Sequence, residues 1–282
     1  MTLTIATAQI APPLGKLEAS IEQHVAWIDR ARAAGAGLVV FPELSLSGYT
    51  VRDLNHALAL RCDDARLNVF RERSRDITII LGGVEEDERY GVYNSAFVFD
   101  EGRCDTYRKM YPPDYGIFEE GRYFLRGNSA RLIATRHGRI GVLVCEDLWH
   151  VSLPLLQALD GAELICAISA SPTRLSPVGE LPIEEVNSEH HRSLCRLLTV
   201  NMAFVNRVGY EDGVNFWGGS EIVDAFGTVL SRCGVADEEL GIATVGSRSV
   251  RDARRASRHF LDEDIPFIQR ELARVYSAQG GC

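Results

Sequence analysis

Three residues in this 282-residue sequence have types and settings suited to acyl transfer: Cys145, Glu43 and Lys109. Cys145 lies where the apolar run Ile140 to Val144 meets the turn Glu146-Asp147-Leu148. In α/β proteins such strand ends deliver side chains into ligand crevices, and nearby backbone N–H groups can accept a developing oxyanion. Glu43 follows an apolar run and Phe41-Pro42, so its carboxylate falls at a matching strand end. A carboxyl group in a poorly solvated site has a raised pKa and can act as a base near neutrality. Lys109 ends a strand before Pro112-Pro113 and could stabilise a thiolate or an oxyanion. Each residue also has a plainer reading: a structural cysteine, a surface turn glutamate, a solvated lysine.

The elements that must position them alternate between apolar β-branched runs and helical patterns. The first half reads as strand 3 to 10, helix 18 to 34 with Ile21, Val25 and Ile28 on one face, strand 37 to 41, helix 52 to 74 and strand 77 to 84. Residues 92 to 108 form a hairpin through Asp100-Glu101-Gly102, so the sheet is mixed. The second half repeats the alternation: strands 131 to 135 and 139 to 145 around Gly138, helix 151 to 160, strand 163 to 168 and helix 182 to 199. Strands near 202 to 208, 218 to 223, 228 to 232 and 240 to 245 complete it. This is an α/β class chain whose runs LVVFPEL (38 to 44) and VLVCEDL (142 to 148) hint at internal pseudo-symmetry. Residues 1 to 250 form the expected domain, and 251 to 282 a helical C-terminal arm with a self-pairing charged face or a subunit contact.

Composition removes several function classes. With 39 acidic and 30 basic residues the net charge is -9, which argues against nucleic acid or an anionic membrane as partner. No stretch approaches a membrane span, and MTLTIATAQI reads as a strand rather than a leader, so the expected location is the cytoplasm. Seven cysteines without a CxxC pair predict neither a disulfide framework nor a zinc site, and most are expected to be buried as small apolar residues. A Cys/His hydrolase would draw on His150, His190 or His191, but His190 sits on the stripe Val186, His190, Leu194, Leu197, the place of a packed histidine. There is no GxSxG elbow and no GxxxxGKS phosphate loop.

Three segments together carry a resemblance. FPELSLSGY (41 to 49), KMYPPDYGIFEEGRYF (109 to 124) and VCEDLWH (144 to 150) resemble, in order, the signature blocks of the nitrilase, or carbon-nitrogen hydrolase, superfamily. The resemblance implies a four-layer α-β-β-α sandwich with two mixed sheets, commonly paired about a two-fold axis. It implies Glu43 as general base, Lys109 as oxyanion stabiliser, Cys145 as nucleophile and Glu120, rather than Glu119, as the lysine-positioning glutamate. The N–H of Glu146 would share the oxyanion, and no cofactor or metal is required. Within the superfamily the CED triplet, GYTVRDL (48 to 54) and SASP (169 to 172) look most like the glutaminase domain of glutamine-dependent NAD synthetase. That implies Tyr115, Phe118 and Trp149 about the amide pocket, bordered by Ser169 and Ser171.

No SGGxDS pyrophosphate motif is found, so the expectation is a free-standing amidase that releases ammonia from a linear amide. A separate ammonia-consuming synthetase could partner it. Amides are favoured over nitriles by the CED context. A catalytically silent binding subunit would have lost Glu43, Lys109 or Cys145, and all three are present. Loops 111 to 130 and 172 to 181 are expected to set specificity.

Overall fold

A computed structural model describes residues 2–173 and 182–279. The strands are β1 Thr2–Gln9, β2 Leu38–Val40, β3 Thr78–Glu86, β4 Val92–Asp100, β5 Arg103–Arg108, β6 Ile133–Thr135 and β7 Gly138–Val144. They continue with β8 Leu164–Ser169, β9 Asn201–Asn206, β10 Val208–Glu211, β11 Val214–Trp217, β12 Glu221–Val223, β13 Val229–Arg232 and β14 Glu239–Gly246. The helices are α1 Leu17–Ala33, α2 Asn55–Leu58, α3 Asn68–Arg73, α4 Glu120–Tyr123, α5 Ser152–Leu159, α6 Ile183–Leu198, α7 Ser247–Ala256 and α8 Ile265–Ala278.

Two six-stranded sheets, ordered β14-β1-β2-β3-β4-β5 and β13-β12-β9-β8-β7-β6, form the centre. β1, β2 and β3 run parallel, as do β7, β8 and β9, with antiparallel neighbours at either side, so both sheets are mixed. Alternation along the strands shows the layering. Ile5, Leu38, Val40 and Ile80 pack in the cluster containing Val142, Val144 and Ile168 of the other sheet. Their neighbours Ala6, Val39, Ile79 and Leu81 pack outward against Trp27, Ile28 and Ala31 of α1 and Phe70 of α3. With α5 and α6 against the second sheet, the result is the four-layer α-β-β-α sandwich of a single domain.

Several local expectations need correction. The helix expected over 52 to 74 is interrupted, because Leu60 exchanges backbone bonds with Val84 and Glu86 (both 2.9 Å) and joins the edge of the sheet instead. The buried face of α6 is turned by one residue: Asn187, Ser188, His191, Cys195 and Leu198 face inward and His190 faces solvent. Polar residues occupy that face because they are paired, with His191 Nδ1 2.7 Å from Glu221. On α1, Ser20 and His24 are buried whereas Ile21 and Val25 are only half-buried. A hairpin, β10-β11, was not anticipated.

The cysteines are also divided differently from the expectation. Cys62 and Cys104 are paired as a disulfide across 42 positions, with Cα atoms 5.7 Å apart. Cys166, Cys195 and Cys233 are buried, Cys145 is partly buried, and Cys282 lies outside the described residues. In the C-terminal arm Arg251 pairs with Asp252 and Arg258 with Asp262, while α8 has no buried residue. Among the described residues no helix is long and apolar enough to cross a membrane.

Candidate active site

β2 delivers Glu43 through a turn that lies directly on β3. A side chain at Gly82 would run into the backbone of Pro42, Glu43 and Leu44, so glycine is required there for the turn to seat. Leu44 takes a left-handed conformation (φ 48°), unusual for a residue with a Cβ. The corresponding turn after β7 places Cys145 itself at φ 48°. Holding a non-glycine residue there costs on the order of 1–2 kcal/mol, which the surrounding packing must offset. The two apolar runs with similar sequence therefore end in similar left-handed turns, one in each sheet.

Lys109 follows β5, its backbone N–H donating to Asn94 O (2.9 Å). Its Nζ lies 2.7 Å from Glu43 Oε1 and 2.7 Å from Glu120 Oε1, with all three side chains buried. Asn94 Nδ2 donates to Glu43 Oε1 (2.7 Å) and Glu120 Oε2 (3.3 Å). Ala170 N–H donates to Glu43 Oε2 (2.8 Å), and the Tyr49 hydroxyl to Glu120 Oε1 (2.6 Å). Burial opposes the Lys109 ammonium, but Glu120 and Glu43 outweigh it and hold the lysine protonated. Burial also raises the Glu120 carboxyl, with Lys109 opposing and Glu43 adding to the shift.

Cys145 begins a short helical turn, Cys145–Trp149, and its Sγ accepts a 3.3 Å hydrogen bond from Ser169 Oγ. Burial first, then the Glu43 charge, pushes its thiol pKa up, and Lys109 only partly offsets them. The shift favours the thiol over the thiolate. Asp147 joins the segments: it accepts from Met110 N–H (3.0 Å) and Tyr111 N–H (2.9 Å) beside Lys109, and from Val144 N–H (3.2 Å) beside Cys145. Tyr107 O–H (3.0 Å) completes its partners, and burial lifts the Asp147 carboxyl to about 6.

The expected pocket residues are placed unequally. Phe118 packs edge-on to Tyr49 (6.3 Å) and lines a cleft of about 220 Å³ with Tyr49 and Glu120. Tyr115 donates to Glu146 Oε2 (2.7 Å). Ser169 reaches Cys145, whereas the Ser171 hydroxyl accepts from Trp217 Nε1 (3.1 Å). Trp149 is not brought to this cleft: it is exposed, edge-on to His190 (4.6 Å), in a separate groove with Val151 and Leu197. Glu119 is exposed and outside the lysine network. His150 stacks on Tyr111 (3.5 Å), and His191 packs at a tilt against Phe204 (4.2 Å). The loop 172 to 181 lies mostly outside the described residues.

Tyr49, Asn94 and Asp147 were not singled out from the sequence. Asn94 did carry a signal, being the amide in the otherwise apolar-patterned strand VYNSAFVF, and Asp147 stands two residues from the thiol.

The carbon-nitrogen hydrolase profile matches residues 4–255. The chain belongs to the carbon-nitrogen hydrolase family. It is 34% identical over 245 residues to a glutamine-dependent NAD(+) synthetase of Thermotoga maritima, covering 84% of this chain and 41% of that protein. A Synechocystis protein of the same name is 30% identical over 283 residues, with 93% and 50% covered. The chain thus spans two fifths to one half of these relatives. Among solved structures, a carbon-nitrogen hydrolase from Helicobacter pylori matches with a TM-score of 0.82 at 24% identity, over 96% of this chain and 99% of that one, a likeness of fold alone. A glutamine-dependent NAD+ synthetase from Acinetobacter baumannii matches with a TM-score of 0.77 at 27% identity, over 89% and 47%.

Proposed function

We propose that this carbon-nitrogen hydrolase is an amidase that cleaves a linear amide through a Cys145 thioester. The observation that carries the reading is the buried Lys109 held at 2.7 Å by both Glu43 and Glu120, in the pocket where Ser169 reaches Cys145 Sγ at 3.3 Å. Glu43 takes the thiol proton, and Cys145 Sγ attacks the amide carbon. Lys109 and the N–H of Glu146, at the start of a helical turn whose first N–H groups lack intrahelical acceptors, stabilise the oxyanion. Glu43 then protonates the departing nitrogen, the C–N bond breaks to release ammonia, and water activated by Glu43 hydrolyses the thioester. Glu120 and Tyr49 orient the lysine. Phe118 and Tyr49 line the cleft that would take the substrate, and Tyr115 is tied to Glu146 beside Cys145.

Glutamine is the leading substrate, supported by the relatives named glutamine-dependent NAD(+) synthetase. A separate synthetase that consumes the ammonia belongs to the same proposal. So does pairing of two copies, for which Ile265, Leu272 and Val275 of α8 leave exposed apolar surface. The test is ammonia release from glutamine, asparagine and small aliphatic and aromatic amides by wild type and Cys145→Ser. Release abolished in the variant is the expected result. No release from any amide, with Cys145 still readily alkylated, would move the reaction to nitriles or carbamoyl compounds.

A further inference from the structure

We propose that Asn94 is a positioning residue that holds Glu43 and Glu120 in fixed register on Lys109, through one carboxamide nitrogen bonded to both carboxylates. The inference rests on the amidase reading of Cys145, Glu43 and Lys109. Two carboxylates in a site closed to water repel one another, and the single ammonium of Lys109 compensates only one of them. A neutral group with two donors on one atom can bond both without adding charge. Asn94 Nδ2 does this, at 2.7 Å from Glu43 Oε1 and 3.3 Å from Glu120 Oε2.

The orientation of the amide is dictated by chemistry. Reversed, it would set Oδ1 against two carboxylates, acceptor against acceptor. As placed, Oδ1 is buried and has no partner among the described residues. Leaving a buried acceptor unpaired is costly, so the side chain is held by its donors alone, which is the signature of a site constraint. The main chain adds a second hold. Asn94 O accepts the Lys109 N–H at 2.9 Å, so one residue fixes the start of the lysine and the two carboxylates at its far end. Asn94 lies on β4 opposite Val84 of β3, fully buried. The titratable groups that face this pocket are Glu43, Glu120, Lys109, Tyr49 and Cys145, with Asp147 behind Lys109 and Cys145.

The test compares wild type, Asn94→Asp and Asn94→Ala by the rate of iodoacetamide alkylation at the Cys145 peptide between pH 5 and 10, alongside kcat and KM for ammonia release. Asn94→Asp is nearly isosteric but puts a third carboxyl group against the other two. It is expected to move the pH of half-maximal alkylation upward by at least one unit. Asn94→Ala adds no charge and removes the unpaired acceptor, and urea unfolding checks that its fold is retained. Its alkylation rate at pH 8 and its kcat are expected to fall at least tenfold, with KM within threefold. Profiles of both variants that superimpose on wild type would overturn the assignment. Alkylation needs only the thiol and its base. A wild type that releases no ammonia therefore defeats the amidase reading while the alkylation comparison still decides the role of Asn94.

Discussion

The Tyr49 hydroxyl and Lys109 Nζ share one acceptor, Glu120 Oε1, at 2.6 Å and 2.7 Å. Burial and the charges of Glu120 and Glu43 raise the Tyr49 pKa well above its ordinary value, so the phenol stays a neutral donor throughout the working range. Tyr49 is itself anchored, since Glu211 Oε1 accepts from its backbone N–H at 2.9 Å and Arg207 pairs with Glu211. Tyr49→Phe removes one hydrogen bond to a charged group and leaves the ring packing. At about 1.5 kcal/mol for such a bond, kcat/KM is expected to fall on the order of tenfold. Unchanged kinetics would show that Lys109 and Asn94 hold Glu120 without the phenol.

Lys109 answers for two buried carboxylates. Lys109→Met keeps an unbranched side chain, one atom shorter, but strands Glu43 and Glu120 without their cation. Removing one partner of a buried ion pair typically costs about 3–5 kcal/mol. The loss, read by urea unfolding, is expected to be larger at pH 8 than at pH 5, where a stranded carboxyl group can take up a proton. A variant within about 1 kcal/mol of wild type at pH 8 would mean that water reaches the carboxylates.

The layering was legible from the short-range alternation of apolar runs and helical patterns, whereas Glu43, Lys109 and Cys145, each with a plainer reading alone, stood out as candidates only through three ordered segments that resemble one family. What escaped rests on contacts between distant segments. Asn94 and Asp147 gain their roles only when β4, β5 and the Cys145 turn meet, and no local period encodes that meeting. The face of α6 was misjudged because hydrophobicity alone placed His190 inward, whereas Glu221, thirty positions from His191, selects His191 for burial. The Cys62–Cys104 pairing likewise depends on an interrupted helix that brings Cys62 alongside β5.

Trp149 follows Cys145 closely in sequence yet points to a different groove, edge-on to His190. Trp149→Ala is therefore expected to leave KM and kcat within about threefold of wild type, because a group that does not touch substrate cannot bind its transition state. A tenfold rise in KM would return Trp149 to the amide pocket and require the α6 side of the site to rearrange on binding.

Acid should loosen the turn that carries Glu43, and His24 on α1 is the responsible group. Its Nδ1–H donates to Ser20 O (2.6 Å) and its Nε2 accepts from Ser45 Oγ (2.9 Å), which in turn receives the Gly82 N–H (3.2 Å). Burial lowers the His24 pKa to about 4 from 6.5, opposed only by the Ser20 contact. The unfolded chain therefore binds a proton below pH 6.5 that the folded chain refuses until about pH 4. The stability this group contributes is intact above pH 6.5 and is lost as the pH falls towards 4, by about 3 kcal/mol in all. His24→Gln lacks the titrating group. Its urea-unfolding free energy should fall less than that of wild type between pH 7.5 and 4.5, even though the variant is less stable at pH 7.5. Equal slopes for the two proteins would show that His24 is hydrated, and would leave the Ser45 contact as packing with no link to acid.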